Sequence, residues 1–394
     1  MKNNLFLIFF LLCLSKNFAQ RIIKRDFFSS HLNESKLLEI FIPKDYNLTN
    51  NRYPLTIILE ADDIFDSYIT TSELFEKKDR APSQIIVGIP KKEQDLKIRD
   101  YGFDPLNSYP THTAMDFFNY ISLELIPFLK NEYRISNFST IIGKGLSANF
   151  TNYFLFERAP IFNAYVNISP TYAEDMPEYL KTSASDLSKR NYFYYIAYSN
   201  GAEAEGKKLT NNVDIKLKTV ENPYFKYKFE YFENSDDLTS IPQSIASAID
   251  HVFSMYSKIS KQEYNTNISF LSPLAAIEYL TYKYENIEHV YGIKKDIRID
   301  DLIAIENLII EKEEGIHLKK FGKKTLELFP KEPLGNYYLG LFHEKKENYR
   351  KAAILYKHGY SKIENNPELA SRYFKNIERV SALQKMKNLN VVEQ

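Results

Sequence analysis

Between residues 36 and 256 the chain repeatedly passes through short, almost uninterrupted apolar runs. They are Leu37-Leu38-Glu39-Ile40-Phe41-Ile42, Leu55-Thr56-Ile57-Ile58-Leu59, Ile85-Ile86-Val87-Gly88-Ile89, Ser139-Thr140-Ile141-Ile142, Ala164-Tyr165-Val166-Asn167-Ile168, Tyr192 to Ala197 and Tyr227 to Phe232. Runs rich in β-branched and aromatic residues, without polar alternation, suit strands buried on both faces. Between the third and fourth, Ala114, Phe117, Phe118, Ile121, Leu125, Phe128 and Leu129 follow a helical stripe, with Thr113 and Asp116 placed as a capping box. Strand, helix and strand repeated in this way predict an α/β fold with a mostly parallel, doubly wound sheet. A hydrophobic content of 44% supplies the core such a fold needs and excludes a mainly disordered chain.

Past Ser257 the period becomes helical and stays so. Leu339-Gly340, Tyr349, Ala352, Tyr356 and Gly359 fit the helix-turn-helix spacing of a tetratricopeptide repeat, where a small residue admits the aromatic of the facing helix. Thr325 to Pro330 reads as the end of an earlier repeat, and Asn365-Asn366-Pro367 closes the later one. Fewer than three repeats are rarely stable alone, so the tail is expected to dock on the first domain or on a partner, a plain helical cap being the alternative.

Met1 to Gln20 has the form of a secretory signal: Lys2, an apolar run from Leu5 to Leu14, then Asn17-Phe18-Ala19-Gln20. The run is too short to span a bilayer. The sole cysteine, Cys13, falls inside it, so the mature chain is expected to lack thiols and disulfides. Lipid attachment at Cys13 is the alternative, although Leu11-Leu12 offers no small residue for such processing. The expected organisation is a signal peptide over 1–20, an α/β domain over 21–258, a helical linker over 259–300 and a repeat-like helical domain over 301–394. The expected destination is the periplasm or the exterior. With 51 basic and 51 acidic residues there is no overall attraction for nucleic acid or anionic membrane.

The segment from Asn137 to Pro170 is the most informative about chemistry. A strand that ends in Gly and passes sharply into an amphipathic helix has the form of a nucleophile elbow. Together with Arg52-Tyr53-Pro54, Pro82 to Pro90, Arg99-Asp100, Glu124 to Pro127, Tyr133-Arg134, Phe162 to Tyr165, Ile168-Ser169-Pro170 and Ile241-Pro242, it resembles the esterase family of α/β hydrolases. That family includes S-formylglutathione hydrolases, enterochelin esterases and feruloyl esterases. The resemblance implies an α/β-hydrolase fold over about Lys36 to Tyr256 and a serine esterase chemistry without cofactor.

The chain departs from that pattern at the reacting groups. Where the family reads Gly-His-Ser-x-Gly-Gly, this chain reads Gly143-Lys144-Gly145-Leu146-Ser147-Ala148, which puts Gly145 at the nucleophile position. The family's histidine base corresponds, counting back from Pro242, to Leu238. Glycine cannot attack a carbonyl and leucine cannot carry a proton. Ser147, in the frame Gly145-Leu146-Ser147-Ala148-Asn149, is the alternative nucleophile, and His251 is read as a helix-surface residue.

The expectation is therefore a catalytically degenerate esterase-like protein that binds a ligand or a protein, the alternative being an active ester hydrolase using Ser147. Ala61, Asp62, Lys144, Gly145, Leu146 and Glu203 are the candidate pocket residues, with Asp63 and Glu205 as their neighbours. A small ester-like or anionic ligand is expected there, and a protein partner on the helical tail. No metal-ligand spacing or phosphate-binding glycine loop is present in the sequence.

Overall fold

The structure, a computed structural model, describes residues 21–91, 93–200, 204–311 and 315–392; the expected signal segment and Cys13 lie outside the described residues. Contacts divide the chain into two units. One comprises the chain up to Ser254 together with Val290–Ile293, and the other comprises Met255–His289 with Lys294 onward.

The first unit is built on one eight-stranded sheet of β1 (Ile22–Ser29), β2 (Glu34–Phe41), β3 (Tyr53–Leu59), β4 (Ile85–Ile89), β5 (Ile135–Lys144), β6 (Ala164–Ile168), β7 (Tyr192–Ser199) and β8 (Phe225–Phe232). Their order is β1-β2-β4-β3-β5-β6-β7-β8. The pairs β1 with β2 and β2 with β4 are antiparallel, and every pairing from β4 across to β8 is parallel. All residues of β3, β4, β6 and β7 are buried, as their continuous apolar runs require. Strand β1 is missing from the sequence expectation because Lys24-Arg25-Asp26 interrupts its apolar residues, and these charges are exposed on an edge strand.

Helices cover both faces: α1 (Phe65–Lys77), α2 (Gln94–Tyr101), α3 (His112–Asn119), α4 (Ile126–Glu132), α5 (Leu146–Thr151), α6 (Met176–Asp186), α7 (Ala204–Leu217) and α8 (Asp237–Val252). On one face Ile57, Ile141, Tyr165 and Tyr194 join Phe117, Ile121, Met176 and Leu180 in a single apolar cluster. On the other, the Phe138 and Phe193 rings meet Tyr291, and Phe138 also meets Phe253. Two local expectations are corrected. The cap of α3 is Thr111, whose hydroxyl accepts from the Ala114 N–H, whereas Thr113 lies inside the helix and donates to the Arg99 carbonyl. The helical stripe is real but passes from α3 to α4 through a π-helical turn at Tyr120–Leu125, just before Pro127, which has no N–H to give. His251 is likewise corrected: its ring packs against Phe193 and Tyr195 under the sheet instead of lying on the helix surface.

The second unit is helical, with α9 (Pro273–Tyr291, whose last two residues belong to the first unit), α10 (Ile299–Glu311), α11 (Ile316–Leu328), α12 (Leu334–Lys345), α13 (Tyr349–Tyr360) and α14 (Pro367–Val392). Helix α9 stops at Gly292, where φ is 65°. Gly340 faces the Tyr356 ring so closely that a β-carbon would lie 2.4 Å from it, which is the small-against-large contact the spacing implied. Among the described residues no helix is long and apolar enough to cross a membrane.

Candidate active site

The sheet order reverses at β3: the chain goes outward to β4 and then returns to β5 on the other side of β3. In open α/β sheets a ligand crevice forms at such a switch point, beyond the carboxyl ends of the strands. Here those ends carry Glu60 to Asp63 after β3 and Gly145 after β5.

Gly145 forms the turn between β5 and α5 with φ 58° and ψ −119°, a conformation that an L-residue with a side chain adopts only under strain. The turn is fixed on both sides. The Gly145 N–H donates to the Ile168 carbonyl at 3.0 Å, and its own carbonyl accepts from the Thr171 N–H at 2.9 Å. Two residues earlier, Gly143 is indispensable for a different reason: a β-carbon there would sit 2.5 Å from the Ser147 carbonyl oxygen. The strand-to-helix bend is thus sharp, close-packed and held by the backbone, which is the geometry of a nucleophile elbow. The position at its apex has no side chain. Among the described residues a β-carbon built on Gly145 would come within 4 Å of the Thr171 hydroxyl alone, at 3.9 Å.

Ser147 lies inside the first turn of α5 and is fully buried. Its hydroxyl donates to the Lys144 carbonyl at 2.9 Å and accepts from the Lys144 N–H at 3.0 Å. The oxygen that would have to attack is therefore directed back at the strand end. Ala148 is fully buried beside it, and Leu146 packs partly buried against the apolar cluster instead of standing free in a pocket. Farther along α5, the Asn149 amide accepts from the Ala173 N–H at 2.9 Å and donates to Tyr153, whose hydroxyl reaches the Ser108 carbonyl. This ties the helix to two loops.

The loop after β3 enters a single 3₁₀ turn, Ala61–Asp63, from Glu60 in the left-handed region. Ala61 is buried. Asp62 accepts from the Lys91 N–H at 2.6 Å, and the Asp63 carboxylate pairs with the Lys144 ammonium at 3.5 Å. Lys144 is therefore half-buried and already has a counter-charge, drawn from the loop opposite the empty apex.

Leu238, expected at the family's base position, is 74% exposed near the start of α8. It is flanked by a complete capping box, in which Asp236 accepts from the Thr239 N–H at 2.7 Å and the Thr239 hydroxyl accepts from the Asp236 N–H at 3.0 Å. His251 offers no substitute. Burial holds its pKa below the ordinary imidazole range, and Nε2 is bonded to the Lys226 carbonyl at 2.9 Å. His112, the first residue of α3, is exposed and pairs with Asp116 at 3.4 Å. Glu203 lies outside the described residues, as does the side chain of Glu205. Among the described residues no group of three or more His, Cys, Asp or Glu could hold a metal ion.

Sequence reasoning missed Thr171, whose side chain approaches the empty apex. It carries no motif and reaches the site through the backbone after Ser169, which turns with φ 41°. A cavity of about 540 Å³ is found elsewhere, between residues 155–160 and 183–192, and holds none of the expected site residues.

Comparison with known proteins agrees with the fold. A family model described as "Putative esterase" matches residues 29–235, just over half of the chain. No curated protein sequence matches. Among solved structures, an uncharacterised protein from Capnocytophaga ochracea is 24% identical, with a TM-score of 0.76 over 92% of this chain and 99% of its own. An IroE-like serine hydrolase from Shewanella oneidensis is 16% identical, with a TM-score of 0.57 over 82% of this chain and 99% of its own. A BES protein from Bacillus cereus is 18% identical, with a TM-score of 0.52 over 62% of this chain and 98% of its own. At these identities the likeness is one of fold.

Proposed function

This chain belongs to the putative esterase family of α/β hydrolases, and on that premise we propose that it no longer hydrolyses esters and instead binds a small ester-like or anionic ligand at the vacated elbow. The observation that carries this reading is Gly145 itself: the strained apex is kept while the attacking group is absent. Acyl transfer needs an oxygen nucleophile, a base to take its proton and donors for the oxyanion. At the first place there is hydrogen, at the second the exposed Leu238, and the nearby hydroxyl of Ser147 is spent on the Lys144 backbone. The donors and binding surface left in such a site accelerate hydrolysis only weakly relative to a full triad. What remains suits recognition: an open apex faced by the Thr171 hydroxyl, with Lys144 and Asp63 able to exchange their mutual pairing for contacts to a ligand. The proposal includes export directed by Met1 to Gln20, with the helical tail available to a protein partner.

The test is to incubate the mature protein with short-chain p-nitrophenyl esters and with a fluorophosphonate probe. Hydrolysis at the buffer rate and no labelling are expected. Labelling that disappears in Ser147→Ala would overturn the proposal and establish an active hydrolase.

A further inference from the structure

The formal charge of zero conceals a segregation along the chain. From Ile316 to Tyr360, across α11, α12 and α13, there are ten Lys/Arg against four Asp/Glu, a net of +6, so the remainder of the chain is net −6. Three of the four carboxylates are already engaged. Glu344 receives two bonds from Arg379 of α14, at 2.8 and 2.9 Å, Glu347 pairs with Lys387 of the same helix at 3.0 Å, and Glu327 pairs with Lys324 at 3.8 Å. Lys319, Lys320, Lys323, Lys345 and Lys351 are exposed, and no carboxylate pairs with them among the described residues.

Two of these cations converge from different helices. The Lys319 ammonium of α11 lies 5.7 Å from the centre of the Phe342 ring on α12, which meets the His343 ring edge-on at 4.9 Å. Burial first, then the charges of Lys351 on α13 and Lys319, holds the His343 imidazole below its ordinary range. Lys323 follows Lys319 by one helical turn and shares its side of α11. Like charges gathered without counter-charges raise the local potential and favour an anionic occupant.

We propose that this face of the helical unit binds an acidic protein segment, whose carboxylates pair with Lys319, Lys323 and Lys351 and whose backbone runs past Phe342. Stacked helical pairs offer an extended surface to a peptide. Lys319, Lys323 and Lys351 are lysines, point charges without the planar fork by which arginine grips phosphate. A short acidic segment has the length to meet such a patch alone. This proposal stands whatever occupies the elbow.

The experiment measures fluorescence anisotropy of a labelled octaglutamate peptide, with octaglutamine as control, on the full mature chain. Octaglutamate should bind, and raising salt from about 50 to about 300 mM should weaken it by about tenfold, as expected for exposed charges. Lys319→Gln with Lys351→Gln should weaken binding by about tenfold at the lower salt, while Lys181→Gln on α6 leaves it unchanged. Unaltered melting of the double variant shows that its fold is intact; if it melts lower, Lys323→Gln alone serves as the second variant. Equal binding of both peptides, or a double variant that binds like the parent, would overturn the proposal. Tighter capture of phosphatidylserine vesicles or of oligothymidylate than of octaglutamate would overturn it too, by assigning the face to a membrane or to nucleic acid.

Discussion

The hydroxyl of Ser147 is bonded to both backbone groups of Lys144, donating to the carbonyl at 2.9 Å and accepting from the N–H at 3.0 Å. A serine in this position acts as a clamp between the last residue of β5 and the first turn of α5. Because Gly143 lies directly beneath that turn, the clamp also sets how closely helix and strand approach. The bend is therefore held by backbone groups and by Ser147, with Gly145 at its apex.

Ser147→Ala removes both bonds and leaves the Lys144 backbone groups to find water at a half-buried edge. A loss of about 1 kcal/mol is expected, read as a lower denaturant midpoint with an unchanged slope. Ester hydrolysis should stay at the buffer rate in both proteins. A fall in hydrolysis accompanying the substitution would mean that Ser147 is chemically active.

The apex can be refilled. A β-carbon on Gly145 meets nothing closer than Thr171 at 3.9 Å, so Gly145→Ser should fold, and its cost is the positive φ, about 1–3 kcal/mol. Adding Leu238→His supplies a base at a helix start, where the macrodipole disfavours the imidazolium and keeps the ring neutral. The double variant should take up fluorophosphonate and cleave p-nitrophenyl acetate about a hundredfold faster than either single variant. If it folds yet remains unlabelled, position 238 is not aligned with the apex.

How much of this was legible in the sequence follows from which forces leave a local trace. Strands β4 and β6 coincide with their apolar runs because burial on both faces demands apolar residues at every position. Strand β1 escaped notice because an edge position tolerates Lys24-Arg25-Asp26. The elbow was readable because its glycines answer local needs, positive φ at Gly145 and close approach at Gly143. The pairing of Lys144 with Asp63, 81 residues earlier, the approach of Thr171 and the packing of His251 against Phe193 depend on chain crossings that no spacing encodes.

Gly143 should be the least replaceable residue of the site, more so than the apex. Gly143→Ala places a methyl 2.5 Å from the Ser147 carbonyl and 2.6 Å from the Ala148 nitrogen, both backbone atoms that cannot rotate away. A loss of roughly 3 kcal/mol is expected, visible as a clearly lower melting temperature. A variant that melts with the parent would show that α5 can lift from the strand, and the clamp at Ser147 would then have little structural role.

A pH dependence is expected from Lys91, whose side chain is 2% exposed, held against Asp100, with its ammonium 4.7 Å from the Tyr101 ring centre and 4.5 Å from that of Phe117. Burial, then the charges of Lys36 and Arg99, lowers its pKa to about 6 from an ordinary 10.5. Between those two values the unfolded chain binds more protons than the folded one, so stability rises with pH, by up to about 1.4 kcal/mol per unit. The depressed imidazoles of His251 and His343 act in the same direction but only below about pH 6.5. The buried tyrosines, whose pKa values are raised, oppose it only above about pH 10. The interval from about pH 7 to 9 therefore isolates the lysines, with Lys36, also lowered by burial, adding to Lys91. In Lys91→Met, Asp100 still keeps Lys36 at 3.0 Å and the Arg99 Nε at 2.6 Å, so the variant should fold and lose most of the slope. Urea midpoints measured across that interval check this: the parent should climb and the variant should stay nearly level. A parent midpoint that does not move would mean that Lys91 stays protonated in the fold, its charge held by Asp100 against the cost of burial.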